Sequence, residues 1–147
     1  LKDGGGIECI SGKMTLSTCT LVGNSADQGG GIACVGDVTL SSCTLAGNSA
    51  GSDGGGISNG GGLSLSNCTL ASNFAINNGG GIWTTVDTEP DLTSTIVAGN
   101  NSTRGKDLFG PFNLAFSLIQ RMDGFTFTEA VPGSNVCAVN PRRGPLA

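Results

Sequence analysis

At 147 residues the chain has the length of one domain, and with 12% charged residues, no His and no Tyr it holds little side-chain chemistry for proton transfer. A net charge of −4 argues against a DNA or RNA partner, which calls for a basic footprint, and no apolar run reaches the roughly 20 residues of a membrane span. Its 26 glycines each cost a helix about 1 kcal/mol relative to Ala, which disfavours a helical fold, while 37% hydrophobic residues in regular positions disfavour disorder.

The chain opens at Leu1 inside a repeat, without an initiator Met or a signal-peptide pattern, and is expected to be a piece of a longer protein. Gly-Gly-Gly followed by Ile then recurs every 25 residues, ending at Ile7, Ile32, Ile57 and Ile82. A constant interval of this size means one structural unit stacked on itself. Between the copies, Met14-Thr-Leu16-Ser17, Val38-Thr-Leu40-Ser41 and Leu63-Ser-Leu65-Ser66 alternate apolar with hydroxyl residues, the pattern of a strand with one buried face. A small residue follows (Thr18, Ser42, Asn67), then a second run with Cys and Leu inward and Thr outward: Cys19-Thr-Leu21, Cys43-Thr-Leu45, Cys68-Thr-Leu70. Gly-Asn-Ser-Ala is expected to form the next corner, and Gly-Gly-Gly-Ile the strand after it.

Three short strands and three corners per 25 residues predict an all-β fold, a right-handed parallel β-helix of about five coils. The rival is a leucine-rich repeat, since Leu63-x-Leu65-x-x-Cys68-x-Leu70 fits its strand pattern. That fold needs a further apolar position upstream, where this chain has Ser11, Val35 or Gly60, and a second Leu-rich segment that is missing.

Stacking places like on like. Asn24, Asn48, Asn73 and Asn100 form a column expected to turn inward and bond the backbone of neighbouring coils. Cys19, Cys43 and Cys68 share one position, Cys9 and Cys34 another. Neighbours in such a column sit about 4.8 Å apart with parallel side chains, wider than the Cβ separation a disulfide prefers. The expectation is therefore reduced thiols packed as small hydrophobes, with a Cys9–Cys34 bridge left open.

After Ile82 the repeat loosens. Asp87-Thr-Glu-Pro-Asp91 and Asn101-Ser-Thr-Arg-Gly-Lys106 lengthen two loops, and this half holds five of the six Phe. Coils are expected over 1–119, regular to about 86, with the Phe residues filling a wider interior and 120–147 packing on the last coil or its side.

Gly-Gly-Gly-Ile together with Cys-Thr-Leu-x-Gly-Asn-Ser-Ala resembles the repeats of right-handed parallel β-helix surface proteins, the chlamydial polymorphic outer-membrane proteins and the bacterial choice-of-anchor proteins. The likeness covers about residues 4–110 and extends to Asp107-Leu-Phe-Gly110, Ser117-Leu-Ile119 and Pro141-Arg-Arg-Gly-Pro-Leu-Ala147. It implies an exported bacterial protein, extracellular or at the cell surface, in a group that includes adhesins.

Candidate sites are few. The turn column Asp3, Gln28, Asp53 and Asn78, with Asp27 beside it, is the one acidic line in the repeats, and no basic residue is assigned to it. Turn preference accounts for it, with calcium between Asp27 and Asp53 as the metal alternative. Asp87, Glu89 and Asp91 form an acidic loop near Trp83, read first as a solvated loop. Trp83 takes the outward position of Glu8, Ala33 and Ser58, where its ring packs under the long following loop or else offers a stacking face for sugar or an anchor for a partner. Outward files such as Thr15, Thr39 and Ser64, or Thr20, Thr44 and Thr69, make a hydroxyl grid suited to ice or glycans, or simply a hydrated β surface. No catalytic constellation and no cofactor motif emerges. The reading is a non-enzymatic module that is structural, adhesive or self-assembling through its coil ends, whose strands lack partners. The alternatives are a carbohydrate-active enzyme of the pectin-lyase-like type and an ice- or glycan-binding surface.

Overall fold

Runs of three to five alternating residues, each cut short by a glycine or a small polar residue, are too brief for a flat sheet and instead wind the backbone into turns. The computed structural model describes residues 3–85, 87–121 and 123–137, and these are all-β with no helix. The first turn holds β1 (Ile7–Cys9), β2 (Lys13–Ser17), β3 (Thr20–Val22) and a two-residue β4 (Ser25–Ala26). The second holds β5 (Ile32–Cys34), β6 (Asp37–Ser41), β7 (Thr44–Ala46) and β8 (Ser49–Ala50). The third holds β9 (Ile57–Asn59), β10 (Leu63–Ser66), β11 (Thr69–Ala71) and β12 (Phe74–Ala75), and the fourth β13 (Ile82–Thr84), β14 (Asp91–Thr93) and β15 (Ile96–Ala98). The chain continues as β16 (Leu108–Ala115), β17 (Leu118–Ile119), β18 (Phe125–Glu129) and β19 (Val136–Cys137).

Every pairing is parallel and joins a strand to its equivalent one turn away. Ile7, Ile32, Ile57, Ile82 and Leu108 stack in register, as do Leu16, Leu40, Leu65, Leu92 and Leu114. The result is a parallel β-solenoid of about four turns with three main strands per turn. Its core is the set of inward files, with Ile32, Leu40, Leu45, Ile57, Leu70, Ile82, Leu92 and Leu114 all fully buried.

The third turn shows what each glycine of the repeat does. Gly54 has φ +67, a left-handed value that favours Gly. A Cβ on Gly55 would run into the carbonyls of Phe74 and Gly80, and one on Gly56 would lie 2.6 Å from the Gly81 carbonyl oxygen. One glycine is therefore required by dihedral angle and two by the closeness of the next turn. The corner between the second and third strand is left-handed in five turns, at Thr18, Ser42, Asn67, Ser94 and Phe116 (φ 50 to 54).

Two expectations need correction. Ser25-Ala26, read as corner, is strand β4 and pairs with Ser49-Ala50, because two residues suffice for one rung of a parallel ladder. Past the regular turns, β16 runs straight from its pairing with β13 to its pairing with β14. The Phe residues do not all turn inward. Phe112 is buried and Phe125 packs edge-on against it at 6.1 Å, but Phe109 alternates outward and Phe116 is 59% exposed. Strands β18 and β19 add to β16 and β17 in parallel register, while residues 138–147, including the Pro141–Ala147 element, lie outside the described residues.

Candidate functional site

The Asn column is a continuous hydrogen-bond ladder. The backbone N–H and side-chain Nδ2 of Asn24 both donate to Asn48 Oδ1 at 3.0 Å, and those of Asn48 donate to Asn73 Oδ1 at 3.0 Å. Asn73 donates in the same way to Asn100 Oδ1 at 2.9 Å. The amides of Asn48, Asn73 and Asn100 also reach back one turn, as from Asn73 Nδ2 to the Leu45 carbonyl at 3.0 Å. A buried corner that the sheets cannot reach thus has its polar groups satisfied.

The ladder ends on a residue that periodicity does not reveal. Asn100 donates from N and Nδ2 to Asp107 Oδ1, at 3.2 and 2.9 Å, and Arg121 N donates to Asp107 Oδ2 at 2.7 Å. Asp107 stands in the position of the third repeat glycine, paired with Gly81, so Gly105-Lys-Asp-Leu108 is a fifth copy of Gly-Gly-Gly-Ile. Only the glycine demanded by dihedral angle survives in it, Gly105 at φ +63. Among the described residues no two-residue fourth strand follows β17.

Burial pushes the Asp107 carboxyl above the ordinary carboxylate range, and its three N–H donors offset that only in part. The folded protein then favours the protonated form, so the contribution of Asp107 is full below a pH of about 4 and is lost as pH rises through the raised folded value. Across about pH 3 to 7, the stability advantage of wild type over Asp107→Asn is therefore expected to shrink, as read by thermal melts. An advantage that grows with pH would mean that the donors outweigh burial.

The Cys column is more than a hydrophobic file. Cys19 N–H donates to Cys43 Sγ at 3.5 Å, Cys68 N–H to Thr95 Oγ1 at 3.3 Å, Thr95 N–H to Ser117 Oγ at 3.2 Å and Ser117 N–H to Asn135 Oδ1 at 2.9 Å. The Cys, Thr and Ser side chains in turn donate to the carbonyl two residues before them, as Cys68 does to Ser66 at 3.3 Å, while Asn135 Nδ2 donates to the Leu114 carbonyl at 3.0 Å. Thr, Ser and Asn replace Cys because the position calls for a small group that both accepts and donates. All six thiols are free. Burial raises the pKa of Cys68, which stays a protonated donor, and burial with the neighbouring Cys9 pushes the Cys34 thiol up to about 11.

On the outside, Glu8, Ala33, Ser58, Trp83 and Phe109 form one file. Half-buried Trp83 borders a shallow groove of about 190 Å³ with Asp3, Glu8, Gln28, Ser58 and Thr85. The acidic loop does not join it there. Glu89 lines a separate depression with Pro111, Phe112 and Thr126, Asp91 accepts Asn113 Nδ2 at 3.2 Å, and Asp87 is exposed beyond the turn. The hydroxyl files stand in the expected register.

Asp27 and Asp53 occupy neighbouring files, Asp27 beside Ser52 and Asp53 between Gln28 and Asn78. Asp53 Oδ1 already accepts Asn78 N and Nδ2, at 3.1 and 2.7 Å, and Oδ2 accepts Ser52 Oγ. Among the described residues no group of three or more His, Cys, Asp or Glu gathers as metal ligands. The same file contains the residue that corrects the sequence reading: Arg104 bridges to Asn78, so the acidic column ends in a cation. Its guanidinium lies 5.3 Å from the centre of the Phe109 ring, beside an open cleft of about 510 Å³. No family model, curated protein or solved structure matches this chain.

Proposed function

We propose that this chain is a non-enzymatic, exported bacterial module, a rigid β-solenoid rod that works outside the cell or at its surface and associates end to end through its first turn. The observation that carries this reading is the state of that turn. Among the described residues, β1, β2, β3 and β4 have a neighbour on one side only. Ile7, Met14, Leu16 and Cys19 are half-buried there, whereas Ile32, Val38, Leu40 and Cys43 one turn on are at most 1% exposed. Unpaired strand edges over an apolar interior are a template for another chain. The two ladders differ at the far end: one stops on Asp107, the other on Asn135, whose Nδ2 donates to Glu129 at 3.3 Å. Among the described residues both finish on carboxyl groups of the chain itself. Export and surface location rest on the repeat resemblance.

Sedimentation velocity over about 1 to 100 µM is the test, because association depends on concentration. Dimers or longer species that become monomers in Met14→Lys, with β-sheet circular dichroism retained, are expected. A wild-type monomer across the whole range contradicts the reading.

A further inference from the structure

The cleft beside Arg104 brings a cation and two aromatic rings together at the surface. Arg104 is fixed by its backbone: its N–H donates to the Asn77 carbonyl at 2.9 Å, and its carbonyl accepts Gly79 N at 3.0 Å and Ser102 Oγ at 2.8 Å. Its side chain is exposed and stacks on Phe109, and it belongs to neither ion pair among the described residues, Lys13–Asp37 and Lys106–Asp123. A guanidinium held by its face keeps its N–H edge free for a planar, two-oxygen acceptor. Phe125, Pro111, Thr126, Gly110 and Gly124 line the same cleft. Phe109 is the register neighbour of Trp83, so a second aromatic side chain stands one turn along the same outward file.

We propose that this cleft binds a saccharide carrying a ring carboxylate, a uronic-acid unit, with Arg104 taking the carboxylate and Phe109 and Phe125 taking an apolar face of the sugar. The surroundings select that class. Strand β16 is paired with β13 and β14 on one side and, over Gly110–Leu114, with β18 on the other, so among the described residues the open edge at the cleft is the outer edge of β18. Lys106 is engaged by Asp123, and among the described residues Arg104 is the one cation that lines this cleft, too few for a run of phosphates. Asp3 and Glu8 line the groove that Trp83 borders, so an anion along this file is steered away from that groove and to Arg104. The cleft has the volume of a small ligand pocket, which runs from about 300 to 1,000 Å³, and its open side lets a polymer continue past. This inference does not rest on end-to-end association, and its test uses dilute protein of either assembly state.

Calorimetric titration with trigalacturonate and with its uncharged counterpart galactotriose, at about 0.15 M salt, reads the claim directly. The acidic trisaccharide is expected to bind at least about tenfold more tightly than the neutral one, and Arg104→Gln to erase that difference. Phe109→Leu is expected to weaken both saccharides alike, while Thr15→Ala, on a different outward file, leaves both unchanged. Equal binding of the two saccharides by wild type, no trigalacturonate binding at about 10 mM, or an unchanged affinity in Arg104→Gln overturns the proposal.

Discussion

Gly55→Ala is expected to destabilise the solenoid by about 4 kcal/mol or more, the range reserved for overpacking against atoms that cannot move. The added methyl would meet the carbonyls of Phe74 and Gly80, with the Phe74 carbonyl carbon at 2.6 Å. Both are backbone groups of the stack. Shifting them breaks rungs such as Gly55 N–H to Gly79 O at 3.0 Å. Gly47 is the control. It has φ +62 with nothing within 4 Å of an added Cβ, so Gly47→Ala is expected to cost only the dihedral penalty of about 1 kcal/mol. Urea unfolding of the two variants separates the effects. Equal costs would mean that neighbouring turns are not in contact at the repeat glycines.

The second large effect is in the ladder. Asn73→Ala removes the acceptor for Asn48 N and Nδ2 and the donor to Leu45 O and Asn100 Oδ1, all at a corner where Asn73 is 1% exposed. Buried polar groups left without partners cost about 1–3 kcal/mol each before relaxation, so a loss of about 4 kcal/mol is expected. Asn24→Ala deletes one side-chain donation at a half-buried first rung, and about 1 kcal/mol is expected there. The same substitution thus has a position-dependent cost that follows the number of rungs broken. A pair of variants with equal melting points would argue that the column is not a ladder.

The legible parts of this fold are those that a backbone constraint writes into residue type. Gly-Gly-Gly-Ile is readable because two of its glycines face the next turn and one needs a positive φ. The Asn column is readable because only a short amide fits that corner. What the 25-residue beat hides begins where it slips. Asn100 follows Asn73 by 27 residues, and the next copy of the glycine motif is reduced to Gly105-Lys-Asp-Leu108. Asp107 and Arg104 therefore look like loop residues, although one ends the ladder and the other ends the acidic file. Strand β4 is too short to show alternation. The outward direction of Phe109 follows from β16 running unbroken, which hydrophobic content alone does not announce. Of the candidate site residues, Trp83 is placed in its file by register, while the acidic residues after it serve separate surfaces because the turn at 87–90 carries them away from β13.

The central claim is that successive turns stack in register with one another along a single axis. Thr15, Thr39, Ser64, Asp91, Asn113 and Thr128 form one outward file. Nitroxides placed in pairs through keto-bearing non-natural residues, which spare the native thiols, give distances along it by pulsed electron resonance. Thr39 and Thr128 are four strand spacings apart and Thr15 and Thr128 five, so separations of about 19 and about 24 Å are expected, a step of one spacing. Two distances that are equal, or whose order is reversed, would contradict the stack.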